Sequence, residues 1–464
     1  MGDTLIRSTS AWCNVCEQVE HAAIVERKGS VYMERFCSKG VQSEIIAESY
    51  AWYAERINQP HVATTVAEPV ACRQGCPLDC GPCEWHSNGL RLPVFSITND
   101  CNLDCPKCFT FNRPDQRYYK SVEETRAIIR GITKASGGVQ LINLTGGEPT
   151  LHPELFEIIE ACKDAKIKRI TMNTNGIRIA QDFEFAQKIK QSGVQLVLNL
   201  DTLNPETSVL MYGKDITDLK LQALATIERL EIPTTILLVA ALGVNEKEVA
   251  QLTRAWIGKS FVRSITIQNM TFTGKNGAAF EPKRRLPIDQ MERLLCEEEG
   301  FDTNDFFPLG SYHPLCYSVA YYVFYDGQLI SLAKVFDRKR LSELTAGNYL
   351  LEPDRRFSMD FIEGLNRMWA ENVDESLILH FKRLLREVYS GDHPEDDEDR
   401  RKQLESMVKM VYIHPHMDAD NFDLDRISRC GDLVPDEEGN MIPACSYNLL
   451  YRQKDPRFWV DSDE

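Results

Sequence analysis

Long apolar runs are missing from this chain of 464 residues. No stretch reaches the roughly 18 consecutive apolar residues of a membrane-spanning helix, so no transmembrane segment is expected. The opening MGDTLIRSTSAWCNVC carries no apolar signal core, and Ile6 stands where a myristoylation pattern wants Ser or Thr. Positive charge is also short. Lys and Arg number 53 against 69 Asp and Glu, for a formal charge of −16. That argues against a nucleic-acid partner, because phosphate binding needs clustered cations. No repeat beyond a βα alternation is present. Hydrophobic residues at 43% and charged residues at 26% rule out wholesale disorder. The length fits about three domains, or one large core with appended modules.

A disulfide framework is missing too, although cysteine is plentiful. The 15 cysteines are odd in number and follow no secretion signal. They cluster instead. Cys13, Cys16 and Cys37 form one set, Cys72, Cys76, Cys80 and Cys83 a second, and Cys101, Cys105 and Cys108 a third. Cys316, Cys430 and Cys445 are scattered through Pro-containing or polar stretches. Cys162 and Cys296 lie in amphipathic helical patterns and read as packing residues.

Residues 1–60 read as a small Cys-knuckle module, rubredoxin- or zinc-ribbon-like, with a hairpin turning at Lys28-Gly29. Residues 61–90 are rich in Pro, Gly and Cys without periodicity, which suits a loop wrapped around a metal. Residues 91–275 alternate. Strand-like runs are LPVFSIT (92–98), VQLINL (139–144), KRITMN (168–173), VQLVLNLD (194–201), TTILLVAAL (234–242) and RSITIQN (263–269), with helical patterns between them. Six βα units predict a parallel sheet with right-handed crossovers. No nucleotide-type Gly-rich turn follows the first strand. The expected fold is therefore α/β, a partial (βα)6 TIM-like barrel with N-terminal and C-terminal Cys-rich metal-binding modules. In residues 276–464 we expect a helix with Pro287 near its start, a hairpin turning at Asp326-Gly327, and a helical section interrupted by an acidic loop from Glu395 to Asp399.

The third cysteine set, NDCNLDCPKCFTF, follows the first barrel strand directly, where βα barrels place their active sites. Three thiolates can hold three irons of a four-iron cluster and leave the fourth open, as a catalytic centre requires. A zinc knuckle lacking a nearby fourth ligand is the alternative. NLTGGEPTLHPEL follows the second strand. There Gly146 and Gly147 permit close backbone approach to a ligand, and Glu148 with Pro149 forms a short acidic turn that could receive an ammonium group.

These residues resemble the radical S-adenosylmethionine (SAM) superfamily over roughly residues 90–270. Cys101, Cys105 and Cys108 match its cluster motif, and Thr145-Gly146-Gly147-Glu148-Pro149 its methionine-binding turn. Many members carry an aromatic residue before the third cysteine, where this chain has Lys107. The resemblance implies Gly146, Gly147, Glu148, Asn173, Asn175 and Gly176 near SAM, Asp201 as a ribose or substrate contact, and Val244 and Gln268 beside adenine. It also implies a SAM-binding 4Fe-4S cluster that reductively cleaves S-adenosyl-L-methionine, giving a 5′-deoxyadenosyl radical able to abstract hydrogen from an unactivated C–H bond.

Cys72, Cys76, Cys80 and Cys83 suit a second four-iron cluster or zinc, with His86 as a substitute ligand. Cys316, Cys430 and Cys445 suit another cluster with three Cys ligands and a fourth not identified, His414 and His416 lying nearby in sequence. Three unpaired thiols are the alternative. Cys13, Cys16 and Cys37 suit zinc or a single iron. The expected fourth ligand is absent near Cys37, leaving His21 or a distant residue to complete the site. With HPLC at 313–316, HPHMDADNFD and IPACSYN, this pattern resembles the branch holding archaeal tetraether lipid synthases and dihydro-hydroxymethylpterin methylase-like proteins. The resemblance implies one or two auxiliary 4Fe-4S clusters and, as main expectation, C–C bond formation on a lipid-type substrate. Such a substrate would need a long apolar tunnel, which the run YSVAYYVFY could line, although a hairpin of this kind reads first as ordinary core. The alternatives are a methylase of a pterin-like or other small heterocycle, or a peptide- or natural-product-modifying enzyme. A flavodoxin or ferredoxin is the expected electron donor, the cytoplasm the expected compartment, and peripheral membrane contact would accompany a lipid substrate.

Overall fold

A computed structural model describes residues 3–59, 61–64, 66, 69–110, 116–136, 140–274, 279–325, 327–346, 351–389, 397–436 and 439–455. The chain opens on four antiparallel strands paired in order, β1 (Thr4–Cys13), β2 (Gln18–Arg27), β3 (Ser30–Cys37) and β4 (Gly40–Ala47). The β2–β3 turn falls at Lys28 and Gly29, both with positive φ, which suits this tight connection. Helix α1 (Tyr50–Ile57) follows, its first turn capped by Ser49, which accepts from the backbone N–H of Trp52. Residues 71–91 form no helix or strand.

Six strands then fall where the alternation predicts them: β5 (Leu92–Thr98), β6 (Leu141–Gly146), β7 (Arg169–Thr174), β8 (Gln195–Asn199), β9 (Thr234–Ala240) and β10 (Val262–Asn269). Each pairs in parallel with the next. Val139, included in the second expected strand, lies outside the described residues. The connections carry α2 (Val122–Ser136), α3 (Leu155–Asp164), α4 (Ile177–Gln181), α5 (Phe183–Ser192), α6 (Pro205–Tyr212), α7 (Thr217–Leu230) and α8 (Glu246–Ile257). The partial barrel expected from the sequence is the fold observed.

The C-terminal region extends the same sheet. Its strands are β11 (Phe307–Pro308), β12 (Ser318–Tyr325), β13 (Gln328–Ser331), β14 (Val408–Ile413), β15 (Asp432–Pro435) and β16 (Met441–Pro443). β14 pairs in parallel with β10, and β15 in parallel with β5. The parallel part of the sheet thus runs β14-β10-β9-β8-β7-β6-β5-β15. Strand pleating sorts the side chains of these strands. Ile142, Leu144, Leu196, Leu198, Ile236, Leu238, Ile265 and Ile267 are wholly buried in the main core. The alternate positions, among them Asn143, Thr171, Gln195, Thr235, Ser264 and Thr266, face a cavity inside the barrel.

One detail of this region differs from expectation. Asp397 to Asp399 open a helix (Asp397–Met407) instead of lying in an acidic loop, and Glu395 and Asp396 are outside the described residues. The β12–β13 hairpin pairs Tyr325 with Gln328, though Asp326 at its turn is also outside them. The aromatic run through β12 (317–325) is mostly core, as expected of such a hairpin, with Tyr317 at its start lining the barrel cavity. Val319, Tyr321 and Val323 pack into a second core with Phe357, Phe361 and Phe381, and Tyr322 packs into the first. Burial on both faces leaves this strand no free apolar wall. No described helix is long and apolar enough to cross a membrane.

Candidate functional site

Cys101, Cys105 and Cys108 sit on the loop leaving the C-terminal end of β5. The loop is held locally. Cys108 N donates to the Cys105 carbonyl at 3.0 Å, Leu103 N donates to Cys101 Sγ at 3.4 Å, and Cys108 Sγ lies 3.1 Å from Thr110 Oγ1. Burial pushes the Cys101 and Cys105 thiols up. Glu148 adds to this at Cys101, whereas Lys107 opposes it at Cys105. Such thiols become thiolates when a metal supplies the compensating charge, so the donor set fits a metal cluster.

The diglycine turn presses against this loop. Gly147 N donates to the Thr98 carbonyl at 2.8 Å, and Glu148 N to that of Asp100 at 2.7 Å. A Cβ on Gly146 would stand 2.1 Å from Thr98 O, and one on Gly147 2.1 Å from Asp100 O. The close backbone approach expected for a ligand is thus made first to the chain itself. Glu148 also departs from expectation. Its buried carboxylate accepts from Thr150 N and Oγ1 (3.1 and 2.7 Å), Thr174 Oγ1 (2.8 Å) and Asn175 N (2.7 Å). Burial raises its pKa and these donors oppose the rise. Four donors make it a brace between β6 and β7, with little left for an ammonium group. Asn175 continues the brace, donating from Nδ2 to Asn102 Oδ1 at 2.7 Å within the cysteine loop.

Asn173 faces the barrel cavity. Its Nδ2 donates to Thr145 Oγ1 at 3.2 Å, while its buried Oδ1 has no hydrogen-bond partner among the described residues. Such an orphaned acceptor is costly unless a ligand donates to it. The cavity holds about 240 Å³. It runs from Arg169, Arg263 and Glu405 at one end of the strands to Thr145, Asn173 and Gln268 at the other. Gln268 is on the wall of this cavity. Val244 instead packs beside the Leu103, Met211 and Tyr212 cluster under the cysteine loop.

Asp201 is corrected most clearly. It is fully buried and forms an ion pair with Lys107. It also accepts from Asn199 Nδ2 and Val239 N, both at 2.8 Å. Its carboxylate is consumed beneath the cysteine loop and is not on the cavity wall. Lys107 also donates to Asn199 Oδ1 at 2.8 Å, and Lys220 donates to the carbonyls of Asn175 and Asn199 at 2.7 and 2.6 Å. Both ammonium groups lie over the Tyr212 ring, at 4.6 and 4.7 Å. Burial pulls each lysine down to about 7, while the Cys105 thiol favours the charged form of each. The sequence signal for this network was the lysine at an otherwise aromatic position. Lys220, inside an ordinary helical pattern, offered none.

Two further cysteine sets each gather on one pocket. Cys72, Cys76, Cys80 and Cys83 all line one cavity of about 190 Å³. His86 is also on that wall, but its Nε2 lies 2.6 Å from the Cys430 carbonyl, which engages that nitrogen. Cys316, Cys430 and Cys445 converge on a neighbouring pocket with His414 and His416. His416 stands between this pocket and the barrel, its Nδ1 3.7 Å from Cys445 Sγ and its Nε2 3.4 Å from Gln268 Nε2. Burial lowers both imidazoles to about 3 and so keeps them neutral.

Cys13, Cys16 and Cys37 differ in scale. Among the described residues, theirs are the sulfurs that all lie within 4.8 Å of one another. That spacing suits one tetrahedral ion, whereas thiolates on separate irons of a cluster stand farther apart. His21 does not join them. Its ring lies 5.7 Å from that of Phe36, and the group 3.3 Å from Cys16 Sγ is the Ser38 hydroxyl.

Residues 95–255 match the sequence profile of the Radical SAM superfamily. The chain is 24% identical to the 7,8-dihydro-6-hydroxymethylpterin dimethyltransferase of Methanocaldococcus jannaschii, over 99% of this chain and 96% of that protein. It is 42% identical over 119 residues to a probable GTP 3',8-cyclase of the same organism, over 25% of this chain and 38% of that protein. Among solved structures, Streptococcus suis SuiB bound to S-adenosylmethionine aligns over 44% of this chain and 46% of that one, at 21% identity and a TM-score of 0.38.

Proposed function

We propose, from the premise that this chain is a radical SAM enzyme, that it methylates a carbon of a small polar heterocycle of the pterin class. The observation that carries this reading is the cavity. It has room for on the order of eight waters, and its mostly apolar wall, with Leu141, Val197, Leu237 and Met410, is interrupted by a row of strand amides and hydroxyls that would meet the polar edge of a ring. That suits a flat heterocycle rich in N–H and C=O groups better than the ends of two lipid tails. The whole-length relative supports the same reading. Coupling of lipid tails, the main expectation from the sequence, is accordingly the weaker choice.

In this reading Cys101, Cys105 and Cys108 hold the cluster that binds SAM. Cys72, Cys76, Cys80 and Cys83 hold a second cluster, Cys316, Cys430 and Cys445 a third, and Cys13, Cys16 and Cys37 hold zinc or a single iron. With SAM bound, the first cluster supplies one-electron chemistry able to break an unactivated C–H bond. The protein does the rest. Gly146 and Gly147 seat the turn against the cysteine loop, Glu148 and Asn175 lock it to β7, and Asn173 offers an acceptor to the ligand. A flavodoxin- or ferredoxin-type protein supplies electrons, and the reducing cytoplasm is the compartment that suits such thiolate sites.

The test is anaerobic turnover of reconstituted protein with SAM, reductant, a one-carbon donor and 7,8-dihydro-6-hydroxymethylpterin, read by mass spectrometry. Formation of 5′-deoxyadenosine together with a pterin heavier by one or two methyl groups is expected. Release of 5′-deoxyadenosine with the pterin unchanged and an added ether lipid consumed would overturn the substrate class. SAM with a deuterated methyl group reports whether SAM is itself the carbon source.

A further inference from the structure

Arg452 lines the barrel cavity from the segment after Cys445 and is 9% exposed. Residues Tyr447–Tyr451 form a π-helical turn and Arg452–Lys454 a 3-10 turn, an irregular backbone of a kind often found at functional sites. The guanidinium is fixed in place. Its Nε and Nη2 donate to the single Oδ1 of Asn448 at 3.2 and 2.7 Å, and its Cζ lies 4.9 Å from the Tyr447 ring centroid and 5.9 Å from that of Phe109, the residue after Cys108. Among the described residues its hydrogen bonds go to Asn448, and no salt bridge to a carboxylate is formed. Asp455, which is close enough to act on Arg452 through charge, accepts from the Tyr447 hydroxyl at 3.0 Å.

A buried guanidinium whose hydrogen bonds go to one amide oxygen, with two rings beside it and Asp455 and Cys108 acting only through charge, keeps donors available to an anion that meets it directly. We propose that Arg452, steadied by Asn448, binds an oxyanion, a carboxylate or a phosphate, of the ligand that occupies the barrel cavity. This rests on the reading of that cavity as the active site. Two sources have the chemistry: the methionine carboxylate of SAM, and an anionic group on the substrate. The fork of N–H donors on Arg suits either, and a lysine would not reproduce its planar geometry. The competing account is that the thiolate cluster near Cys108 is itself the counter-charge.

The test uses reconstituted holoprotein, wild type, Arg452→Gln and Arg452→Lys, with iron content measured first. Equilibrium dialysis gives the affinity for SAM and for decarboxylated SAM, and calorimetry with inorganic phosphate in the presence of saturating SAM probes the substrate side. If SAM supplies the oxyanion, Arg452→Gln weakens SAM by roughly ten- to a hundredfold and leaves decarboxylated SAM unchanged, with Arg452→Lys between. If the substrate supplies it, SAM affinity is unchanged and the phosphate heat seen with wild type disappears in Arg452→Gln. Unchanged binding of both probes overturns the proposal. So does loss of iron with SAM affinity per remaining cluster unaltered, which assigns Arg452 to the cluster. No arm requires a methylated product. A binding defect without pterin methylation would therefore remove the substrate assignment alone.

Discussion

Lys107 and Asp201 bring opposite charges together where water does not reach, 8% and 0% exposed at their side chains. A buried pair of this kind contributes little over an apolar replacement, but removing one partner strands the other. We therefore expect Lys107→Met to destabilise the protein by about 3–5 kcal/mol, and Asp201→Asn added to it to recover much of that loss. Anaerobic urea unfolding of both variants measures this, and equal costs in single and double variants would show that the charges are not coupled. Sequence reasoning reached the cysteines and glycines here because their chemistry and spacing are local. It misassigned Asp201, since a carboxylate at the end of β8 looks the same whether it turns into the cavity or under the neighbouring loop. Only the position of Lys107 relative to β8, 94 residues apart in the hydrogen bond, distinguishes the two.

Elements were legible where a period repeats. The six barrel strands and their helices show alternating or 3.6-residue patterns, so they appear in sequence within a few residues of their observed ends. β14 and β15 lack that context: β15 has only four residues, and neither strand is separated from its parallel neighbour by a single helix. The link between elements in this region is buried and polar. His313, wholly buried after β11, accepts from Leu315 N at Nδ1 (3.1 Å) and places Nε2 3.5 Å from Asp425. Burial lowers its pKa from 6.5 to about 4, against the pull of Asp425. The unfolded chain then takes up the proton first as the pH falls. Stability contributed by neutral His313 is complete above about 6.5 and is lost down to about 4, at no more than about 1.4 kcal/mol per pH unit. Urea midpoints between pH 7.5 and 5 measure this slope, and His313→Gln is expected to flatten it. An unchanged slope would mean that His313 is not the group that titrates.

At the scale of the molecule the N-terminal cysteine module is tied to the C-terminal segment that carries Cys430 and Cys445. β1 bridges to the C-terminal segment at Ala11 and Asp423, Arg7 pairs with Asp423 at 2.8 Å, and Trp12 packs with Met417, Phe422 and Cys445. Reconstitution is expected to load about twelve irons per chain in three four-iron clusters, with one further metal ion at Cys13, Cys16 and Cys37. Metal analysis with Mössbauer spectroscopy checks this, and a plateau near four irons would remove the auxiliary clusters. The motifs alone pointed to the radical SAM profile that residues 95–255 match, to the βα barrel and to the three local cysteine sets, because each depends on residues close together in the chain. Folding settled three further matters: which polar groups face the ligand, which are spent bracing one another, and that Arg452 from the far end of the chain reaches the cavity. A side chain's partners depend on distances through space between segments hundreds of residues apart, and no local pattern carries that information.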